Sequence, residues 1–130
     1  MNVVDSSGWI EYFTDGPGAA FFAPAVEKVD SLIVPTIVMN EVLRKTLRDA
    51  GEPAALTVLT AMRQGKVVAL DETLAVAAAR LGLAHRLPLA DAIVLATARA
   101  AAATLWTQDK DFEGLARVRF LAKRAAGRQA

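Results

Sequence analysis

Asn2-Val3-Val4-Asp5-Ser6-Ser7-Gly8-Trp9-Ile10 is the stretch whose reading decides the fold. A short apolar run ends on an acid and turns at once into a helix. A buried strand can be this short, and an Asp at the carboxyl end of a strand in an α/β sheet faces the crevice where ligands bind. That makes Asp5 a candidate site residue. The competing reading makes Asp5, Ser6 or Ser7 a helix cap, a role both residue types fill well.

The same strand-then-helix pattern recurs outward from this stretch. Ser7 is a candidate cap for a short helix through Phe13, stopped by Asp15-Gly16-Pro17-Gly18. Residues 19–29 read as a second helix, with Pro24 predicting a break or kink near its middle. Leu32-Ile33-Val34, closed by Pro35, reads as a second strand, and Thr36 as the cap of a helix from Ile37 to about Ala50, ended by Gly51. Glu52-Pro53 opens a helix to about Gln64. Val67-Val68-Ala69 is the third predicted strand, and Asp71 caps a helix over Glu72 to Leu81. Pro88 to Ala98 is a helix apolar on nearly every side, which predicts burial. Thr104 to Thr107 is the fourth strand, and Val118-Arg119-Phe120 a possible fifth at an edge. Strands alternating with helices predict βαβ units and a mainly parallel sheet of four or five strands, covered on both faces.

Composition narrows the class. The 130 residues are expected to form a single domain, 1–130, and 54% hydrophobic against 22% charged residues excludes a disordered chain. With no cysteine there is neither a disulfide framework nor a thiolate metal site. The start Met1-Asn2-Val3-Val4-Asp5 lacks a basic leader and a long apolar run, and no stretch is long enough to span a bilayer, so a soluble cytoplasmic protein is expected. A net charge of +1 does not by itself announce a nucleic-acid partner. The charge is uneven, however. Arg117, Arg119, Lys123, Arg124 and Arg128 crowd an acid-free end that reads as a solvated terminus, while acids dominate the first thirty residues.

Three further acids share the setting of Asp5. Glu41 lies early in its helix beside the apolar side formed by Ile37, Val38 and Val42, although an i,i+4 pair with Lys45 would explain it equally. Asp91 sits in the first turn of the apolar helix, where the helix dipole welcomes an anion. Amid Leu89, Ala92, Ile93 and Leu95 a carboxylate would also be desolvated, at a cost of several kcal/mol unless donors or a cation meet it. Asp109 follows the fourth strand. In a parallel sheet all four can open on one edge, where they would repel; either some are protonated or divalent cations bind between them. Oxygen donors without a His or Cys cluster favour Mg²⁺ or Mn²⁺ over Zn²⁺. The single histidine, His85, falls in a predicted loop and reads as a surface or packing residue. Neither a Ser-His-Asp set nor a P-loop is present, so the chemistry suggested is hydrolysis of a phosphodiester by a metal-activated water without a covalent intermediate.

Val4-Asp5-Ser6-Ser7, Asn40-Glu41-Val42, Leu89-Ala90-Asp91-Ala92 and Thr107-Gln108-Asp109-Lys110-Asp111-Phe112 follow one another in an order and spacing that resemble PIN domains, in particular the VapC toxins of bacterial toxin–antitoxin pairs. The resemblance covers nearly the whole chain. It implies a three-layer α/β/α sandwich and a Mg²⁺- or Mn²⁺-dependent endoribonuclease, with Asp5, Glu41, Asp91 and Asp109 matching the acidic quartet. Ser6 and Thr107 match hydroxyl positions that support the metal or its waters, and Asp111 matches an acid that such loops sometimes use. It further implies an RNA substrate, a cognate antitoxin that blocks the acidic pocket, and a homodimer. Arg86, Lys110 and the basic residues of the carboxyl-terminal end are candidates for gripping RNA phosphates. Trp9, Tyr12 and Phe13 are better read as core than as base-stacking residues.

Two other classes were weighed. A non-catalytic PIN-like subunit that only holds a partner would not need all four acids. A haloacid-dehalogenase-like phosphatase would want a second Asp at position 7, which is Ser, and a phosphotransfer receiver would want its acceptor Asp after the third strand, where Asp71 fits poorly.

Overall fold

The computed structural model describes residues 1–124, so Arg128 of the basic end lies outside the described residues. Its elements are β1 (Asn2–Val4), α1 (Ser6–Phe13), α2 (Ala19–Glu27), β2 (Leu32–Pro35), α3 (Thr36–Ala50), α4 (Glu52–Met62), β3 (Lys66–Val68), α5 (Glu72–His85), α6 (Leu89–Ala100), β4 (Thr104–Thr107) and β5 (Val118–Phe120), with single 3₁₀ turns at Val29–Ser31 and Lys110–Phe112. The five strands form one sheet in the order β3-β2-β1-β4-β5, and every neighbouring pair is parallel. Val3 lies opposite Ile33 on one side and Leu105 on the other. The fold is the α/β sandwich that the alternating pattern predicts, with five strands.

The central strands are buried on both faces, which is why they read as unbroken apolar runs. Val3, Val4, Leu32, Ile33, Val34 and Leu105 are all core residues. β3 lies at an edge, and its Lys66 and Val67 are exposed. α1 packs on α2 and α3, α3 on α4, and α5 on α6. Trp9 anchors α1 with its ring wholly buried and Phe13 stacked on it at 5.7 Å. Its indole N–H has no hydrogen-bond partner. Burying such a ring is worth roughly 4–6 kcal/mol by area, which exceeds the ~1–3 kcal/mol cost of one unsatisfied donor.

Several local expectations are corrected. Asp5, not Ser7, caps α1. α2 runs unbroken through Pro24, which is exposed and is the sixth of its nine residues, while Phe22, Ala25 and Val26 hold the helix to the core. Thr36 is the first residue of α3 and not its cap; β2 pairs through Pro35, so the helix follows with no residue between and Pro35 takes the cap position. β3 is shifted one residue toward the amino terminus, to Lys66–Val68. α5 continues past Leu81 to His85, so His85 is an exposed residue of its last turn and not of a loop. Gly82 permits this extension, because a Cβ there would stand 3.2 Å from the Cβ of Ala92 on α6. Asp71 caps α5 as predicted, accepting from the Leu74 N–H at 2.8 Å.

Gly8 marks the tightest packing beneath the site. A Cβ at this position would meet Val4 Cγ1 at 2.6 Å and the Phe22 ring at 2.7 Å, and both neighbours are fully buried. Gly8→Ala is therefore expected to lower stability by about 1–3 kcal/mol, read as a fall in the urea midpoint with an unchanged slope.

Candidate metal centre

The order of the strands determines where a site can form. From β1 the chain steps outward to β2 and β3, then crosses back to β4 and β5 on the other side of β1. Connections leave β1 and β4 in opposite directions, so a crevice opens at their carboxyl ends. Asp5 follows β1 and Asp109 lies two residues past the end of β4.

Asp5 serves as helix cap and site residue at once. It is 4% exposed. Its Oδ1 accepts from Ser7 Oγ at 2.6 Å and from the Gly8 N–H at 3.1 Å, and its Oδ2 accepts from Thr107 Oγ1 at 2.5 Å. A carboxylate has about four acceptor positions, so one on Oδ2 is left for a proton or a cation. Burial pushes its pKa up to about 6, against the pull of the Ser7, Thr107 and Gly8 hydrogen bonds, with the charge of Asp109 adding to the rise.

Thr107 ties the two strand ends together. Its hydroxyl donates to Asp5 and accepts from the Asp109 N–H at 2.8 Å. Asp109 Oδ1 in turn accepts from the Asp111 N–H at 2.9 Å, turning the chain into the 3₁₀ turn that carries Asp111. Ser7 makes a parallel tie, donating to Asp5 and accepting from the Gln108 N–H at 3.2 Å. The buried Gln108 side chain donates to Glu11 Oε2 at 2.6 Å and fixes this loop to α1.

Asp91, Asp109 and Asp111 each bring a carboxylate oxygen to within 4.8 Å of the others. Repulsion between ionised carboxylates at that spacing is on the order of 1–3 kcal/mol per pair. Asp91 relieves it by keeping a proton: partial burial first, then the charge of Asp109 and hydrogen bonds to Asp109 and Asp111, push its pKa up to about 8. No cationic side chain pairs with it among the described residues. Glu41 is half-buried, and its pKa is raised by desolvation and by Asp109, with the Ser6 hydroxyl opposing. Lys45, its expected i,i+4 partner, pairs instead with Asp49 at 3.0 Å.

The structure thus brings all four predicted acids to one sheet edge, with Asp111 joining Asp91 and Asp109 in the tightest group, and Asp5 and Glu41 linked to Asp109 by charge. The donors are all oxygen, and the group holds more negative charge than its own side chains neutralise; both properties suit a hard divalent cation. Thr107 binds Asp5 directly, whereas Ser6 faces Glu41. Ser7 and Gln108 are the residues that sequence reasoning missed; the signal for Ser7 was its place two residues after an Asp, where its hydroxyl can return to that carboxylate. Lys110 is exposed beside Asp109, and Arg86 is exposed in the left-handed residue that ends α5, three positions before α6 begins. Trp9 is core, Tyr12 donates to Glu27 at 2.8 Å, and Phe13 stacks on Trp9.

These features define a class of parallel α/β sandwiches with carboxylates gathered at the switch point. Within it this chain belongs to the PIN domain family, whose profile matches residues 3–118. No curated protein sequence matches it. Among solved structures it is similar to a toxin–antitoxin complex from Klebsiella pneumoniae, at 23% identity and a TM-score of 0.78, covering 92% of this chain and 96% of that one. It is also similar to VapC20 of Mycobacterium tuberculosis, a sarcin–ricin loop cleaving toxin, at 20% identity and 0.74, covering 92% and 99%. A third is VapBC2 of Rickettsia felis bound to a promoter DNA fragment, at 11% identity and 0.71, covering 92% and 96%.

The raised carboxyls set a pH dependence. Both the folded and unfolded forms of Asp5 are protonated below about pH 3.8; between there and its folded pKa of about 6 the unfolded chain ionises first, so stability falls as pH rises. For this buried group the loss is about 3 kcal/mol. Asp91 extends the decline toward pH 8. Metal-free protein is therefore expected to melt at lower temperature at pH 8 than at pH 5, and Asp91→Asn to melt higher than wild type at pH 8. Mn²⁺ should raise the melting temperature of wild type more at pH 8 than at pH 5, and that of Asp91→Asn far less, as differential scanning fluorimetry would show.

Proposed function

We propose that this protein is a divalent-metal-dependent endoribonuclease that hydrolyses RNA phosphodiesters, acting as the toxin of a type II toxin–antitoxin pair. The observation that carries the reading is the convergence of Asp91, Asp109 and Asp111, with Asp5 and Glu41 beside them, at the switch point of a PIN fold. Asp5, Glu41, Asp91 and Asp109 would hold Mg²⁺ or Mn²⁺. Such an ion supplies Lewis-acid activation of water and of the phosphodiester, and neutralises charge as it develops on the phosphate oxygens.

The chain's own residues do the rest. Asp91 gives up the proton it keeps near neutral pH when positive charge enters the site. Asp5 contributes its one free acceptor position from a rigid three-donor clamp. Glu41 completes the site directly or through a water; its absence from the tightest group supports the second role. Asp111, within 4.8 Å of the other two acids, is a supporting ligand. Lys110 and Arg86 contact RNA phosphates, and the exposure of both supports this.

An apolar groove of about 360 Å³ between α1, α3 and α4, lined by Ile10, Phe13, Val42 and Val58, suits a segment of the cognate antitoxin. Lys45 and Asp49 line both this groove and the cleft that reaches Ser6 and Ser7, so a segment seated there extends to the acids. Leu83 and Leu89, 86% and 80% exposed where α5 turns into α6, support a homodimer through that corner. No single helix of the described chain is long and apolar enough to cross a membrane; with RNA as substrate the protein acts in the cytoplasm.

Partner-free protein incubated with total cellular RNA and Mg²⁺ or Mn²⁺ should yield discrete fragments. These should vanish with EDTA, and Asp91→Asn should slow cleavage by about a hundredfold or more. Folded protein that cleaves nothing in either metal would favour a subunit that only binds a partner.

A further inference from the structure

Beside the acidic site lies a second feature that the proposed chemistry does not use. A cleft of about 570 Å³ begins at Ser6, Ser7 and Gln108, immediately beside Asp5 and Asp109, and runs outward between Lys45 on α3 and the Lys123–Arg124 segment beyond β5. Its outer wall is built into the fold. β5 is parallel to β4, so the chain leaving it emerges at the same carboxyl edge as the acids. The Leu121 N–H then donates to the Thr107 carbonyl at 3.0 Å, so the residue whose side chain clamps Asp5 also anchors this segment through its backbone. Gly18 gives Leu121 room: a Cβ there would stand 3.1 Å from Leu121 Cδ2. A smaller cavity of about 220 Å³, lined by Phe21, Pro17, Gln108 and Arg124, continues the cleft on its far side.

The charges in the cleft are not equivalent. Glu11 is occupied by the Gln108 amide, and Asp49 by Lys45 and Arg48. Lys123 and Arg124 are exposed and make no ion pair among the described residues. Two available cations thus flank a site whose own carboxylates repel a polyanion. Resting on the ribonuclease reading above, we propose that this cleft binds the RNA strand on one side of the scissile bond, with Lys123 and Arg124 pairing to its backbone phosphates. A strand with one phosphate at the acids necessarily carries its neighbours outward, and this cleft, walled by Ile10 and Pro17 as well as by Ser6, Ser7 and Gln108, ends in the positive charge of Lys123 and Arg124. The Ser6 hydroxyl borders the cleft, where a ribose would pass, and Phe21 lines the adjoining cavity, where a base would.

The test is a fluorescence anisotropy titration of the full chain with a labelled single-stranded RNA of about ten mixed-sequence nucleotides, in the Asp91→Asn background that suppresses cleavage. Adding Lys123→Gln and Arg124→Gln should raise Kd about tenfold at low salt and reduce the slope of log K against log salt by about 1.4, since each single-strand phosphate contact contributes about 0.7. In the otherwise wild-type chain the same pair should raise KM for RNA while leaving kcat and the Mn²⁺-induced rise in melting temperature unchanged. RNA binding with unaltered Kd and slope would overturn the cleft assignment alone. Loss of a co-purifying protein partner with RNA binding intact would overturn it in favour of a protein ligand. A chain that binds no RNA even without the two substitutions would overturn the assignment and the ribonuclease reading together.

Discussion

The hydroxyl of Thr107 is fully buried and makes two hydrogen bonds, donating to Asp5 at 2.5 Å and accepting from the Asp109 N–H at 2.8 Å. β1 and β4 are neighbours in the sheet but more than a hundred residues apart in the chain, and this one side chain fixes the acid at the end of the first to the loop at the end of the second. The Ser7 bridge and the Gln108–Glu11 bond repeat the constraint from α1. A buried, charge-assisted hydrogen bond of this length is among the stronger polar contacts a fold can make. Without it, Asp5 would be a desolvated anion with fewer donors, and Asp109 would ride on a loop with no tie to the core.

That clamp works against repulsion. Five carboxylates share one edge, and burial first, with the charge of Asp109 adding to it, raises the pKa of Asp5, Glu41 and Asp91. The remaining core is close-packed around small and branched side chains, as the contacts that Gly8 and Gly82 permit demonstrate. Stability is therefore concentrated in the strands and in α1 and α6, and spent at the carboxyl edge. In the proposed reading a cation bound at this switch point would remove the penalty that the scaffold otherwise bears.

Much of this was legible in the sequence because strands buried on both faces are unbroken apolar runs, and the acids stand at the ends of such runs. Asp5 posed cap and ligand as alternatives; the structure shows the cap and leaves one acceptor position open on Oδ2, so the two roles are compatible, because a carboxylate accepts several hydrogen bonds at once. Asp71 was legible as a pure cap, with an open helix start and no partner acids. Glu41 could not be separated from a surface pair with Lys45 by spacing alone, since Asp49 lies at the same distance on the other side and takes the lysine. Ser7 was hidden because its partners, Asp5 and the Gln108 N–H, converge only when β1 and β4 pair. Lys123 and Arg124 could be read as a solvated end or as a grip for RNA, and it is the parallel pairing of β5 that places them near the site edge.

We propose that this edge binds a divalent cation, with Asp91, its pKa pushed up by burial and by Asp109, beside Asp109 and Asp111. Calorimetric titration of Mn²⁺ into metal-free protein at pH 7, repeated in buffers of different ionisation enthalpy, measures ion binding and proton release together. With the Asp91 pKa pushed up to about 8, saturable binding that releases roughly one proton per ion from the site is expected, with loss of both signals in Asp91→Asn. Absence of binding, or binding with no proton released and no sensitivity to Asp91→Asn, would contradict it.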